Sequence, residues 1–269
     1  MKRLFLLKIL MLLIQNACFA QELPLSTTSK AAITLYYEGW HRVMDRGDYT
    51  GAEAAYRDMV NADPDFILGL SLLGRITRDL SERTKIEETL ENRKNELSGD
   101  ERKLLDNYLM LVKLTNIRES EPEKSKAYFA EIFPVIENTQ RELVHQYPDD
   151  IYYKAEYIEV LHINYGAQAA LDSMQILCSE EQLSNPFLLG FAAKLQAEQG
   201  NYKQALSHAQ QLKQIFKNDN APKPYVVYAD IYLMMGKEKH ARKNLQQALA
   251  LDPGNIDAQR LQEKIKALQ

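Results

Sequence analysis

Residues 222–255 have the sequence PKPYVVYADIYLMMGKEKHARKNLQQALALDPGN, in which two helical patterns meet at Gly236. Gly236 can take the left-handed conformation that ends a helix, and Pro253 ends the second helix. Helices in such a pair pack closely only where small residues let the backbones approach, which Ala229 and Ala241 do here. These 34 residues therefore predict a helix-turn-helix unit.

The same spacing of glycines recurs along the chain. Gly166 and Gly200 are 34 residues apart, Gly236 follows after 36 more, and Gly47 begins a similar pattern near the N-terminus. Repetition at this period is typical of stacked helical arrays, in which each unit contacts its neighbours, and not of an enzyme built around one pocket. The repeats therefore favour a binding function.

Motifs in the first and last repeats resemble the tetratricopeptide repeat family. Tyr36, Gly47-Asp48-Tyr49, Ala52, Tyr56 and Pro64 match its aromatic, turn, small and closing positions. The last repeat matches at Tyr225, Ala229, Tyr232, Gly236, Ala241, Ala248 and Pro253. The resemblance implies an all-α fold, a right-handed solenoid of stacked antiparallel helix pairs with about ten to twelve helices.

The predicted solenoid spans residues 31–269 and follows a polar linker over 21–30. A long helix is expected over 122–147, where Pro134 should kink or break it. Residues 256–269 form a predicted C-terminal capping helix. The predicted repeats are 33–66, 67–100 (degenerate), 101–151 (irregular), 152–185, 186–221 and 222–255.

The first 20 residues have the pattern of a secretory signal peptide. Lys2 and Arg3 precede an apolar run, and Cys18-Phe19-Ala20 provides a cleavage site. The run is shorter than the roughly 20 residues of a membrane-spanning helix. We therefore predict export to the bacterial periplasm or secretion. In the alternative, Cys18 is lipidated and the chain is a membrane-anchored assembly or nutrient-capture component, although the leucine usual three residues before such a cysteine is missing.

Charge and cysteine content narrow the function further. Cleavage after residue 20 leaves 30 basic and 37 acidic residues, a net charge near −7, which disfavours nucleic acid as a partner. Membrane contact is expected only if Cys18 is lipidated. Cys178 would be the one remaining cysteine, so the mature fold has no intrachain disulfide.

The sequence contains none of the common catalytic or phosphate-binding motifs. Its five histidines are far apart, and none has a second histidine at i+4 to form a metal site. We predict no catalytic residue, no metal and no cofactor. The enzyme alternative would use His41 with Tyr37 and Asp45.

In tetratricopeptide proteins the first helix of each repeat lines a concave groove that holds peptides or partner helices, so the resemblance implies a protein or peptide partner. The family's carboxylate-binding lysine is absent, since Tyr37, Glu156, Gly190 and Val226 occupy its position. Arg75 and Arg78 either bind an acidic group or balance nearby acids, and Phe187 and Phe191 either contact ligand or form core. The groove candidates are Tyr37, His41, Met44, Arg75, Arg78, Tyr153, Glu156, Phe187, Phe191, Lys194 and Asp230.

Overall fold

The computed structural model describes residues 22–267, which form helices and no strand. The predicted all-α class is confirmed, with thirteen helices in this part of the chain in place of the expected ten to twelve. The predicted signal peptide, with Cys18, lies outside the described residues. The helices are α1 Lys30–Trp40, α2 Tyr49–Ala62, α3 Ile67–Ile76, α4 Leu80–Arg93, α5 Gly99–Ser120, α6 Pro122–Gln146, α7 Ile151–Tyr165, α8 Ala167–Leu177, α9 Pro186–Glu198, α10 Tyr202–Ile215, α11 Lys223–Met234, α12 Glu238–Leu251 and α13 Ile256–Ala267.

Turn glycines separate the two helices of several pairs, as the repeat pattern predicts. Gly47, Gly166, Gly200 and Gly236 all have positive φ, from 65° to 86°. At one of these turns a side chain caps the next helix: the Asp48 carboxylate accepts from the Gly51 amide at the start of α2. Caps of this kind satisfy amides that have no partner within the helix. The helix boundaries therefore follow from local sequence.

Adjacent helices pack in pairs, and the core extends from pair to pair. The closest-packed neighbours are α1 with α2, α9 with α10 and α11 with α12. A large apolar cluster covers α1 to α9, and a smaller one lies between α11, α12 and α13. Ala229 and Ala241 are both buried in the smaller cluster, as the small residues at their positions predict.

The irregular middle of the chain contains one long helix, in which Pro134 was expected to cause a kink or a break. Helix α6 runs through Pro134 without ending there. Ile132, Phe133 and Ile136, on both sides of the proline, are buried in a cluster with α5 and α7. This burial compensates for the hydrogen bond that proline cannot make.

Two further features were not expected from the sequence. Helix α1 continues as a π-helical turn over His41–Arg46, a rare geometry that is frequent at functional sites. The segment before α1 is not helical, but Leu23 is buried in the core and the Ser26 amide donates to Glu101 Oε1 at 2.9 Å. No helix between residues 22 and 267 is both long and apolar enough to span a membrane.

Candidate functional site

The first helix pair contacts the last repeat, so the array closes on itself. The Asp252 carboxylate lies at the N-terminus of α2, where it accepts from the Tyr49 amide at 2.8 Å and from the Thr50 hydroxyl at 2.5 Å. Asp252 and Asn255 are almost fully buried, and Asn255 Nδ2 donates to the Gly47 carbonyl at 2.6 Å. We call this set of contacts the closure.

Charged side chains extend the closure on both sides. Arg46 pairs with Asp219, and Arg78 donates to the Gly254 carbonyl. Lys223, the first residue of α11, donates to the Met44 carbonyl in the π-helical turn. A π turn displaces carbonyls from the regular helical pattern, and Lys223 takes one of them as its partner.

Two adjoining pockets lie inside the closed array, and we call them together the central cavity. Their volumes are about 330 and 300 Å³, and they share Glu159, Phe187, Lys223, Asp257 and Arg260 as lining residues. The walls come from helices that are distant in sequence: chiefly α9, α11 and α13 around the larger pocket, and α1 to α3 with the π-helical turn around the smaller one. The size falls in the range of pockets that hold small ligands or single peptide segments.

The cations of the central cavity already have partners or face solvent. Lys223 Nζ lies 4.4 Å from the centre of the Phe187 ring, and Lys194 Nζ lies 5.8 Å from that of Phe191. Burial lowers the pKa of Lys223, although Asp257, Asp45 and Glu159 oppose this shift. The Lys223–Phe187 and Lys194–Phe191 contacts are cation–π interactions, which strengthen when water is excluded.

The carboxyls of Glu159 and Asp230 stand apart from these pairs. Glu159 lies on α7 and Asp230 on α11, and both face the larger pocket. Burial, and then the charge of Glu156, raise the pKa of Glu159 to about 7, with Lys223 opposing. Burial also raises the pKa of Asp230. Such shifts in a cavity are typical of functional sites.

The structure brings six of the eleven groove candidates to the central cavity. Phe187, Phe191, Lys194 and Asp230 line the larger pocket, and Met44 and Arg75 line the smaller one. Glu159 and Lys223 were missed by the sequence reasoning. The sequence does contain one pattern that indicates Glu159: it follows Glu156 by three residues, about one helical turn, so both lie on the same side of the helix.

Two of the other candidates, Tyr153 and Glu156, are buried outside the pocket linings. Glu156 pairs with Arg75 at 2.8 Å and accepts from the Tyr108 hydroxyl at 2.9 Å. The Arg75 guanidinium also lies 4.3 Å from the Tyr108 ring centre. Arg75 is therefore held by an internal partner, and Arg78 contacts the closure, so the two do not converge on one acidic group.

Tyr37 and His41 are exposed and lie outside both pockets. His41 Nδ1 lies 2.9 Å from Asp45 Oδ2, and the buried Asp45 also accepts from Tyr152 and Asn185 at 3.1 and 3.0 Å. The Asp45 carboxylate thus connects the π-helical turn to α7 and to the start of α9. This arrangement explains its burial, because its oxygens are satisfied by hydrogen bonds.

A second cleft, of about 580 Å³, lies between α8, α9 and α10. It is lined by apolar residues, glutamines and His208, and by no Asp, Glu, Lys or Arg. Within residues 22–267, no group of three or more His, Cys, Asp or Glu side chains could hold a metal ion. The central cavity, with its aromatic rings and perturbed carboxyls, is therefore the better candidate site.

No protein-family model matches the chain, and no curated protein matches it either.

Proposed function

We propose that this chain is a non-enzymatic binding protein, a right-handed solenoid of tetratricopeptide type that holds a segment of a protein or peptide partner in its central cavity. The supporting observation is the cavity itself, with Phe187 and Phe191 beside several charged groups. Aromatic rings next to polar groups in an enclosed site are what binding centres favour.

The closure sets the length of the segment that this proposal allows. Asp252 and Asn255 hold the first helix pair against the last repeat, so the interior is a cavity of limited volume. A pocket of about 330 Å³ suits one or two side chains and the backbone between them. An extended peptide running along an open groove would need the closure to separate. We place the binding event in the bacterial envelope, on the strength of the signal-like pattern over residues 1–20.

Site-specific photo-crosslinking tests the proposal. A photoreactive residue at Lys264, which is exposed at the cavity, should capture a discrete partner from envelope extract. The matched control carries the same residue at Ile176, which is 81% exposed on α8 and away from the cavity. A Cβ at Gly190 would lie 3.2 Å from Leu212 and 3.3 Å from Lys223 and Val227, so Gly190→Leu should crowd this wall of the cavity and, in a variant that folds, suppress capture.

Capture of the same partner from both positions, or capture that survives Gly190→Leu in a folded variant, would contradict binding in the cavity. The thermal unfolding of each variant serves as the folding control.

A further inference from the structure

The larger pocket is lined by acidic and basic residues, and two of its carboxyl groups have no direct partner. The acidic residues are Glu159, Asp230 and Asp257, and the basic ones are Lys194, Lys223, Arg260 and Lys264. Among residues 22–267, neither Glu159 nor Asp230 has a hydrogen bond or an ion pair through its carboxyl group. Both are partly buried and line the larger pocket. A carboxylate removed from bulk water without a partner is destabilised.

The basic groups of the same cavity differ in this respect. Lys223 has the Met44 carbonyl and the Phe187 ring, and Lys194 has the Phe191 ring and, at 3.9 Å, Glu198. Arg260 lies 3.7 Å from Asp257, and Lys264 is exposed to solvent. A cationic ligand would meet two carboxyls that have neither a hydrogen bond nor an ion pair in the described residues, beside lysines that act on them only by charge at longer range.

We propose that the group bound in the central cavity is a cation, an ammonium or a guanidinium, that pairs with Glu159 and Asp230. The inference rests on the proposed function, because it names the chemistry of what the same cavity holds. The aromatic walls fit this chemistry, since the Phe187 and Phe191 rings already face lysine ammonium groups. Val226, Val227 and Leu261 provide an apolar wall for the stem that carries the charge.

A cation of this kind has two sources: a lysine or arginine side chain of a peptide, or a small free amine. The probes are therefore acetyl-Gly-Lys-Gly-amide and 1,5-diaminopentane, each titrated calorimetrically into the protein at about pH 8. Glu159 is ionised there, because its pKa is raised only to about 7. Matched peptides with norleucine or glutamate in place of lysine test whether the positive charge is required.

We expect the lysine peptide to bind more tightly than both matched peptides. Glu159→Gln and Asp230→Asn should each weaken its binding by about 30-fold or more, as removal of one member of an enclosed charge pair does. Glu180→Gln is the control, because Glu180 is exposed, lines neither pocket and has no side-chain hydrogen bond or ion pair among residues 22–267; it should leave affinity within about 2-fold. Glu159→Gln is nearly isosteric, and a thermal unfolding curve checks that it folds.

The outcomes separate this inference from the proposed function. Binding of the diamine but not of the lysine peptide, with the same sensitivity to Glu159→Gln, would support a cation site and overturn peptide binding. Equal or tighter binding of the norleucine or glutamate peptide would overturn the cation site while leaving peptide binding in place. No binding of either amine by the folded protein would also overturn the cation site.

Discussion

Glu156 and Glu159 lie one turn apart on α7, yet their surroundings differ. Glu156 is buried, pairs with Arg75 at 2.8 Å and accepts from Tyr108. Glu159 has no such partner in the described residues and faces the cavity. Because a buried carboxylate without a partner favours its protonated form, Glu159 should make stability depend on pH near neutrality.

Glu159→Gln tests this dependence. The pKa of Glu159 is raised from 4.5 to about 7 in the folded chain, so the folded state holds a proton that the unfolded state releases in this interval. That stabilisation is fully present below pH 4.5 and is lost as the pH rises to about 7. The variant cannot ionise, so its unfolding free energy relative to wild type should rise across this window by about 2 kcal/mol, after a discount for water in the cavity.

Urea unfolding at a series of pH values measures the difference, with Glu180→Gln as the control. The charged groups that face Glu159 are Glu156, Lys223, Asp257 and Lys194. A difference between variant and wild type that stays constant across the window would show that Glu159 is not the titrating group.

At the scale of elements, the turns between paired helices depend on backbone conformations that glycine supplies. Gly47 and Gly236 have φ values of 65° and 70°, which side chains with a Cβ rarely adopt. The two turns differ in their surroundings. A Cβ at Gly236 would meet no atom within 4 Å, whereas one at Gly47 would lie 3.3 Å from atoms of Lys223. The turn at Gly236 therefore has room for a Cβ, whereas the turn at Gly47 packs against Lys223 as part of the closure.

Alanine substitution at these two glycines separates the conformational effect from the contact. Gly236→Ala should lower the unfolding free energy by about 1 kcal/mol, which is the cost of the left-handed backbone. Gly47→Ala should cost about 2 kcal/mol, because Lys223 must also move. Chemical denaturation measures both, and Gly99→Ala, with φ of 62° and an open surrounding, should match Gly236→Ala. Equal losses at Gly47 and Gly236 would contradict a tight closure at Gly47.

For the molecule as a whole, the decisive contacts join residues about 200 positions apart. Asp252 adds a second cap to α2, beside its own N-terminal Asp48, by accepting from the Tyr49 amide and the Thr50 hydroxyl. The cavity lies behind these contacts, with Gly47 and Asn255 in its wall. Loss of the closure should therefore open the interior to solvent while leaving the separate helix pairs folded.

Asp252→Ala tests the closure directly. It removes the acceptor of the Tyr49 amide and the Thr50 hydroxyl, so we expect a loss of about 2 kcal/mol of stability. Amide hydrogen exchange should accelerate over residues 44–51 and 252–258 and stay unchanged in α5 and α6. Asp149→Ala, at an exposed position, is the control. Unchanged exchange at both segments would show that Asp252 does not hold the ends together.

Part of the candidate site could be predicted from the sequence, and helix α7 shows why the rest could not. The repeat pattern implied by the tetratricopeptide resemblance predicted Phe187, Phe191 and Asp230 as groove residues, and in the structure all three line the larger pocket. The same pattern gave Glu156 but not Glu159 as a groove residue. A rotation of α7 by a fraction of a turn decides which of the two carboxyls meets the cavity, and packing against neighbours sets that rotation.

By itself the sequence determined the all-helical class and the glycine turns that separate paired helices. These features depend on periodicity and backbone preference over a few residues, which act wherever the segment lies. Only the tertiary structure decided that Asp252 adds a second cap to α2, that α6 continues through Pro134, and that residues of the first and last helices line one cavity. The position of the first helix pair relative to the last accumulates from many small rotations between neighbouring pairs, and no local pattern encodes that sum.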